Sequence, residues 1–118
     1  RMAVIKPSKQ AAAQSFGKAS VATWAGMGQG DTAQPEAMST FNDRSVQVEG
    51  TFGGASIAIM GSIDGVNYRS LPDPQGNNLS FAAGGIEAIS ELVAFIRPEL
   101  VGGSGTTALA VSLIFKGS

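Results

Sequence analysis

Two residue types that carry much of protein chemistry are missing from this sequence, cysteine and histidine. Without cysteine there are no disulfides and no thiol nucleophile, and the redox compartment is left unmarked. Without histidine, Ser-His nucleophile activation is excluded, as are zinc sites of the usual imidazole and thiolate type. The side chain best suited to moving protons near neutral pH is gone as well. Charge is sparse too. Asp, Glu, Lys and Arg make up 14% of the chain, against about a quarter in an ordinary globular domain. The eight basic and nine acidic residues give a net charge of −1 with no run of one sign. No basic stripe can neutralise phosphates, so no nucleic-acid partner is expected. No apolar run approaches the roughly 20 residues that span a bilayer, and residues 1–18 hold no apolar core of signal-peptide type. Neither a membrane partner nor a secretion signal is expected.

What is present is a chain of 118 residues, 43% apolar, with 16 glycines. That suffices for one modest core and is too short for two. A surface so poor in charge often faces a partner, which points towards assembly.

The patterning is that of strands. "SVQVEGTF" (residues 45–52) alternates, with Val46 and Val48 opposite Gln47 and Glu49, and Gly50 marks a bulge or a close backbone approach. In "GGASIAIMGSI" (53–63), Ile57, Ile59 and Gly61 share one side, and Ala58, Met60 and Ser62 the other. Asp64-Gly65 then predicts a tight hairpin turn, with "VNYRSL" (66–71) as the returning strand. "LSF" (79–81) reads as a short strand, "GIEAISEL" (85–92) as one helical turn, and "LVAFI" (92–96) as extended because Pro98 disfavours the α region before it. "TALAVSLIFKG" (107–117) is a strong final strand, with Leu109, Val111, Leu113 and Phe115 on one face. Near the start, Ala3–Ile5 reads as a short strand stopped by Pro7, and Ser8–Phe16 as a helical turn. Lys18–Asp43 begins as a strand ending near Trp24 and continues as a long irregular loop. The predicted fold is all-β: a single small β-sandwich or jelly-roll-like barrel (residues 18–118) preceded by an extended N-terminal arm (residues 1–17).

Motifs that carry chemistry are weak. Ser62-Ile63-Asp64-Gly65-Val66-Asn67-Tyr68 is similar to the Asp-box turn of sialidase-like propellers and to a hairpin of discoidin-like sandwiches, both of which are scaffold. Asp64-Gly65 as a turn, Ser62 bonding locally and Tyr68 packing across account for it physically. "GMGQGD" (26–31) lacks the helix and third glycine of a dinucleotide loop, and "GGSGTT" (102–107) lacks the lysine of a phosphate loop. Asp31, Glu36, Asp43, Asp64 and Asp73 all fall in turn or loop contexts, and no spacing assembles an acid–base pair. A calcium site from Asp64, Asp73 and carbonyls has no further support, so neither metal nor cofactor is expected. Trp24, the only tryptophan, is either a core anchor or an interface contact. Arg97, before Pro98, is either an interface ion-pair donor or a surface strand end.

The order of several elements resembles that in small virion structural proteins of tailed bacteriophages, of the head decoration or cement type. The elements are Trp24 followed by Gly30-Asp31, the Gly50–Gly54 run, Gly61-Ser62 with Asp64-Gly65, and Arg97-Pro98 with Gly102-Gly103. They span about Val21 to Phe115, and Tyr68 stands where the related pattern more often has Trp. The resemblance implies an oligomeric β domain, with a trimer favoured, on the outer surface of a capsid, where it bridges major capsid proteins and stiffens the shell. It offers no catalytic residues. On this basis Trp24, Asp31 and Arg97 are the interface candidates, and residues 1–17 and 18–43 the expected capsid contacts. The competing readings are a tail, baseplate or fibre component, and a carbohydrate-binding sandwich that uses Trp24 and Tyr68 as a stacking platform. An enzyme ranks last.

Overall fold

The computed structural model describes residues 3–11, 19–37, 43–89, 91 and 93–116. They form β1 (Val4–Ile5), β2 (Ser8–Ala11), β3 (Ala19–Met27), β4 (Thr32–Ala33), β5 (Glu36–Ala37), β6 (Asp43–Thr51), β7 (Ala55–Ser62), β8 (Arg69–Ser70), β9 (Ser80–Phe81), β10 (Gly85–Ile89), β11 (Phe95–Gly102) and β12 (Ala108–Lys116), with no helix among them. One antiparallel sheet has the order β10-β6-β12-β3-β2; the other has β5-β11-β7-β8, with β9 also on β7. β1 and β4 form a separate parallel pair. The all-β sandwich expected from the alternation is therefore the fold observed.

Side-chain alternation builds the core. Val46 and Val48 of β6, Ile57 and Ile59 of β7, and Leu109, Val111, Leu113 and Phe115 of β12 are all buried, as their period-2 spacing predicts. Together with Trp24, Met27, Ile96 and Leu79 they form one apolar cluster between the sheets. The last strand, β12, lies between β6 and β3, so the C-terminal segment forms the middle of its sheet.

Two backbone positions explain residues that look out of place in strands. Gly50 faces Leu109 across β6 and β12 with φ +124°, and a Cβ there would lie 2.4 Å from the carbonyl oxygen of Ala108. This is the close approach anticipated at that glycine, beside the register shift that β12 shows against β3 between Leu109 and Val111. Gly50→Ala is expected to lower the free energy of unfolding by at least about 2 kcal/mol, measured by urea titration, because strain and overlap act together. Pro98 sits inside β11 opposite Ile59. Ile59 turns its N–H to the Leu79 carbonyl and its carbonyl to the Leu71 N–H, away from Pro98. The pair is thus a non-hydrogen-bonded one, and β7 asks for no N–H from the proline.

Several local expectations are corrected. "GIEAISEL" is not a helical turn over its described part: Gly85–Ile89 pairs with Arg44–Val48 as β10. Its Ile86 and Ile89 have helical spacing, but the edge of β6 supplies backbone partners that an isolated turn lacks. Ser8–Ala11 is likewise a strand, paired with β3; residues 12–17 lie outside the described residues. The segment expected to extend as an arm is therefore stitched into the domain over residues 3–11. β1 pairs with β4, Asp31 accepts from the Ala3 N–H, and Lys9 reaches Glu36 at 3.1 Å across to the second sheet. The long irregular loop is also shorter than expected, since β3 runs on to Met27 and β4 and β5 follow.

Candidate interaction surfaces

The Asp64 loop joins β7 to β8, and the register sets Gly61 opposite Arg69, so the connection is longer than the two-residue turn expected from Asp-Gly. The Asp64 carboxylate organises it. Oδ1 accepts from the Ser62 hydroxyl (2.9 Å) and from the Val66 and Asn67 amides (2.8 Å each), and Oδ2 accepts from the Asn67 side-chain amide (2.9 Å). The Ser62 hydroxyl oxygen in turn accepts from the Gly65 N–H. Gly65 has φ +79° and backs onto the Phe95 ring, where an added Cβ would meet the ring at 3.1 Å. These bonds, those from the Asn67 and Val66 amides first, hold the Asp64 carboxyl well below the usual carboxylate range. A depressed native pKa contributes stability that is full above the unfolded value and is lost progressively as pH falls from there through the native one. The loop is accordingly expected to keep its Val66 and Asn67 amides protected from hydrogen exchange below about pH 4, where ordinary carboxylates titrate. Asp64→Ala should abolish that protection at neutral pH while the β7 and β11 amides stay protected, as read by exchange NMR.

The knot holds two aliphatic side chains outward. Ile63 and Val66 are each 79% exposed, the most exposed large apolar residues among those described. The sequence motif accounted for the turn and said nothing of this pair. Their presence on either side of Asp64-Gly65, where polar residues are the norm, was the available signal.

Of the three interface candidates, the structure buries two. Trp24 is 1% exposed, and its Nε1–H donates to the Gln34 carbonyl at 2.8 Å. Of its two readings, core anchor is the one realised. Asp31 is also buried, accepting from the Gly28 and Ala3 amides at 2.8 and 3.1 Å. It closes the turn after β3 and ties down residue 3, so the expectation of a surface contact there is corrected. Arg97 does reach the surface. Its guanidinium lies 4.6 Å from the Tyr68 ring centroid, and its Nη1 is 3.3 Å from Glu99 Oε1. Burial pushes the Tyr68 hydroxyl up, and the nearby Arg97 charge opposes it. Asp31 and Arg97 meet in one groove of about 430 Å³ between β4 and β11, with Thr32, Pro35 and Pro98. Among the described residues, Trp24 is buried and Tyr68 lies under the Arg97 guanidinium, so neither is open as the stacking surface that the carbohydrate-binding reading uses.

A second surface is the outer face of the five-stranded sheet. One row across it is Val21, Ile114, Ser45 and Ala88, and the next is Thr23, Ser112, Gln47 and Ile86. These two rows carry no charged side chain. Ile86 is 64% and Ile114 42% exposed. A hollow of about 230 Å³ opens between Val21, Gln47, Ile86, Ser112 and Ile114, and its lining is almost wholly apolar. Alternation along each strand put these residues outside, but only the strand order brings them into one patch.

The molecule is thus a two-sheet antiparallel sandwich whose distinctive surfaces are an uncharged two-row patch on one sheet face, a rigid loop tip with two exposed aliphatic side chains, and the Arg97 groove. No protein-family model matches the chain, and no curated protein matches it. Among solved structures, the fold is similar to that of the SPBc2 prophage-derived protein YomS, with TM-score 0.60 and 10% identity over 86% of this chain and 96% of that one. Protein NMB1881 from Neisseria meningitidis is matched with TM-score 0.43 and 10% identity, over 93% of this chain and 83% of that one. At such identity the likeness to YomS is one of fold.

Proposed function

We propose that the protein is a non-enzymatic structural component of a bacteriophage particle, a homo-oligomer, with a trimer favoured, that decorates the outer surface of the capsid and bridges major capsid proteins. The observation that carries this reading is the fold, which a prophage-derived protein shares over nearly its whole length. The order of sequence elements from Trp24 to Gly103 resembles decoration proteins and supports the same reading. So do the exposed aliphatic side chains that the described residues present at the loop tip and on the sheet face. Contact with the major capsid protein is proposed at the β4–β11 groove, which Arg97 and Thr32 help to line.

The mechanism is mass action. A protein that binds only the expanded shell stabilises that state by about 2.7 kcal/mol per site at a hundredfold excess over Kd, and the effect multiplies over many sites. Purified protein added to expanded shells that lack it should bind to saturation and raise the temperature at which they open. Arg97→Ala should weaken that binding. Shells that take up no protein and open at an unchanged temperature would overturn the decoration role.

A further inference from the structure

The Asp64 loop tip and the hollow on the five-stranded sheet are matched in chemistry, and they belong to the same chain. The tip presents two β-branched side chains, Ile63 and Val66, each 79% exposed. Their rotamers are stiff, and the loop that carries them is held by four hydrogen bonds to one carboxylate, from the Ser62 hydroxyl, the Val66 and Asn67 amides and the Asn67 side chain. Little conformational freedom remains to be lost on docking. The charged carboxylate that holds the tip is exposed, but both its oxygens are engaged within the loop, and beside it the tip offers two aliphatic side chains. The hollow, about 230 Å³, is lined by Val21, Ile86, Ile114 and the uncharged Gln47 and Ser112. Cavities of about 150 Å³ admit a benzene ring, so a branched aliphatic side chain fits. A partner surface with unpaired charges would leave them without counterparts on these rows, whereas the one charge at this tip, Asp64, keeps four hydrogen-bond donors from its own loop.

We infer that the Ile63–Val66 tip of one copy docks in the Val21–Ile86–Ile114 hollow of a second copy. The tip extends from β7 of one sheet, and the hollow lies on the outer face of the other sheet. The contact is therefore heterologous, and repetition gives a closed ring where the rotation closes and an extended array where it does not. This rests on the oligomeric part of the proposed function and is independent of where in the particle the protein sits.

Sedimentation velocity of the full chain over a concentration series tests it, with two variants. Ile63→Ser with Val66→Ser removes the tip, and Ile86→Glu charges the hollow; both changes are at exposed positions, and unchanged circular dichroism spectra and melting curves confirm the fold. The wild type should assemble. Each variant should dissociate, with Kd raised at least about 100-fold by the loss of apolar burial. An equimolar mixture of the two variants should form a one-to-one dimer and nothing larger, because only one intact tip and one intact hollow remain. A wild type that stays monomeric overturns the contact while leaving binding to shells to be judged separately. A tip variant that assembles like the wild type, or a mixture that stays monomeric, overturns it as well.

Discussion

Trp24→Ala should lower the free energy of unfolding by about 3–5 kcal/mol, the range for deleting a buried aromatic side chain. The residue is 1% exposed within the single apolar cluster, so truncation leaves a cavity that two hydrogen-bonded sheets cannot easily close. It also removes the donor that meets the Gln34 carbonyl, the point at which β3 is tied to the segment linking β4 and β5. Trp24→Phe separates the contributions, because it keeps most of the apolar volume and loses only the hydrogen bond and part of one ring. It should cost about 1–2 kcal/mol. Against a total stability of about 5–15 kcal/mol for such a domain, the alanine variant should be partly unfolded in mild denaturant. Were it to unfold at the wild-type urea concentration, the role of Trp24 as core anchor would be wrong.

The second large effect concerns the N-terminal segment. Deleting residues 1–11 removes β1 from β4, β2 from β3, the Lys9–Glu36 ion pair and the Ala3 amide that donates to buried Asp31. Backbone bonds contribute roughly 0.5–1.5 kcal/mol each, so after the entropy released with the segment is set against them, a net loss of about 3 kcal/mol or more is expected. The edge of β3 is then bare, and an unpaired edge invites pairing between chains. The truncated chain should unfold at lower urea and form higher-order species on gel filtration. If the deletion left the urea midpoint unchanged, the segment would be an appendage, as an arm requires, and its pairing with β3 would contribute nothing.

These two cases mark where the sequence was informative. Strands with strict alternation, such as Ala55–Ser62 and Ala108–Lys116, were legible because one buried face dictates a period of 2. Gly50 was legible because a glycine inside such a run gives up side-chain packing, which a bulge or a close backbone approach accounts for. The N-terminal segment was not. Ser8–Ala11 has no alternation of its own, and its pairing is set by partners in β3 that lie well beyond its own stretch of sequence. Gly85–Ile89 is illegible for the same reason: helical spacing of two isoleucines is local, whereas pairing with β6 is not. Asp31 looked like a surface charge because buried carboxylates are rare, yet the backbone amides of Gly28 and Ala3 make burial tolerable. The candidate surfaces were the least legible part. An uncharged patch made of Val21, Gln47, Ile86 and Ile114 draws on four strands, and no stretch of sequence contains it.

The central claim, a structural role on the outside of a capsid, is tested most directly by the copy number of this chain in purified particles relative to the major capsid protein, by quantitative mass spectrometry. The account predicts about one copy per major capsid protein, as a shell-wide array requires. A ratio of a few per hundred would contradict it in favour of a tail or baseplate position, and absence from the particle would contradict the structural role altogether.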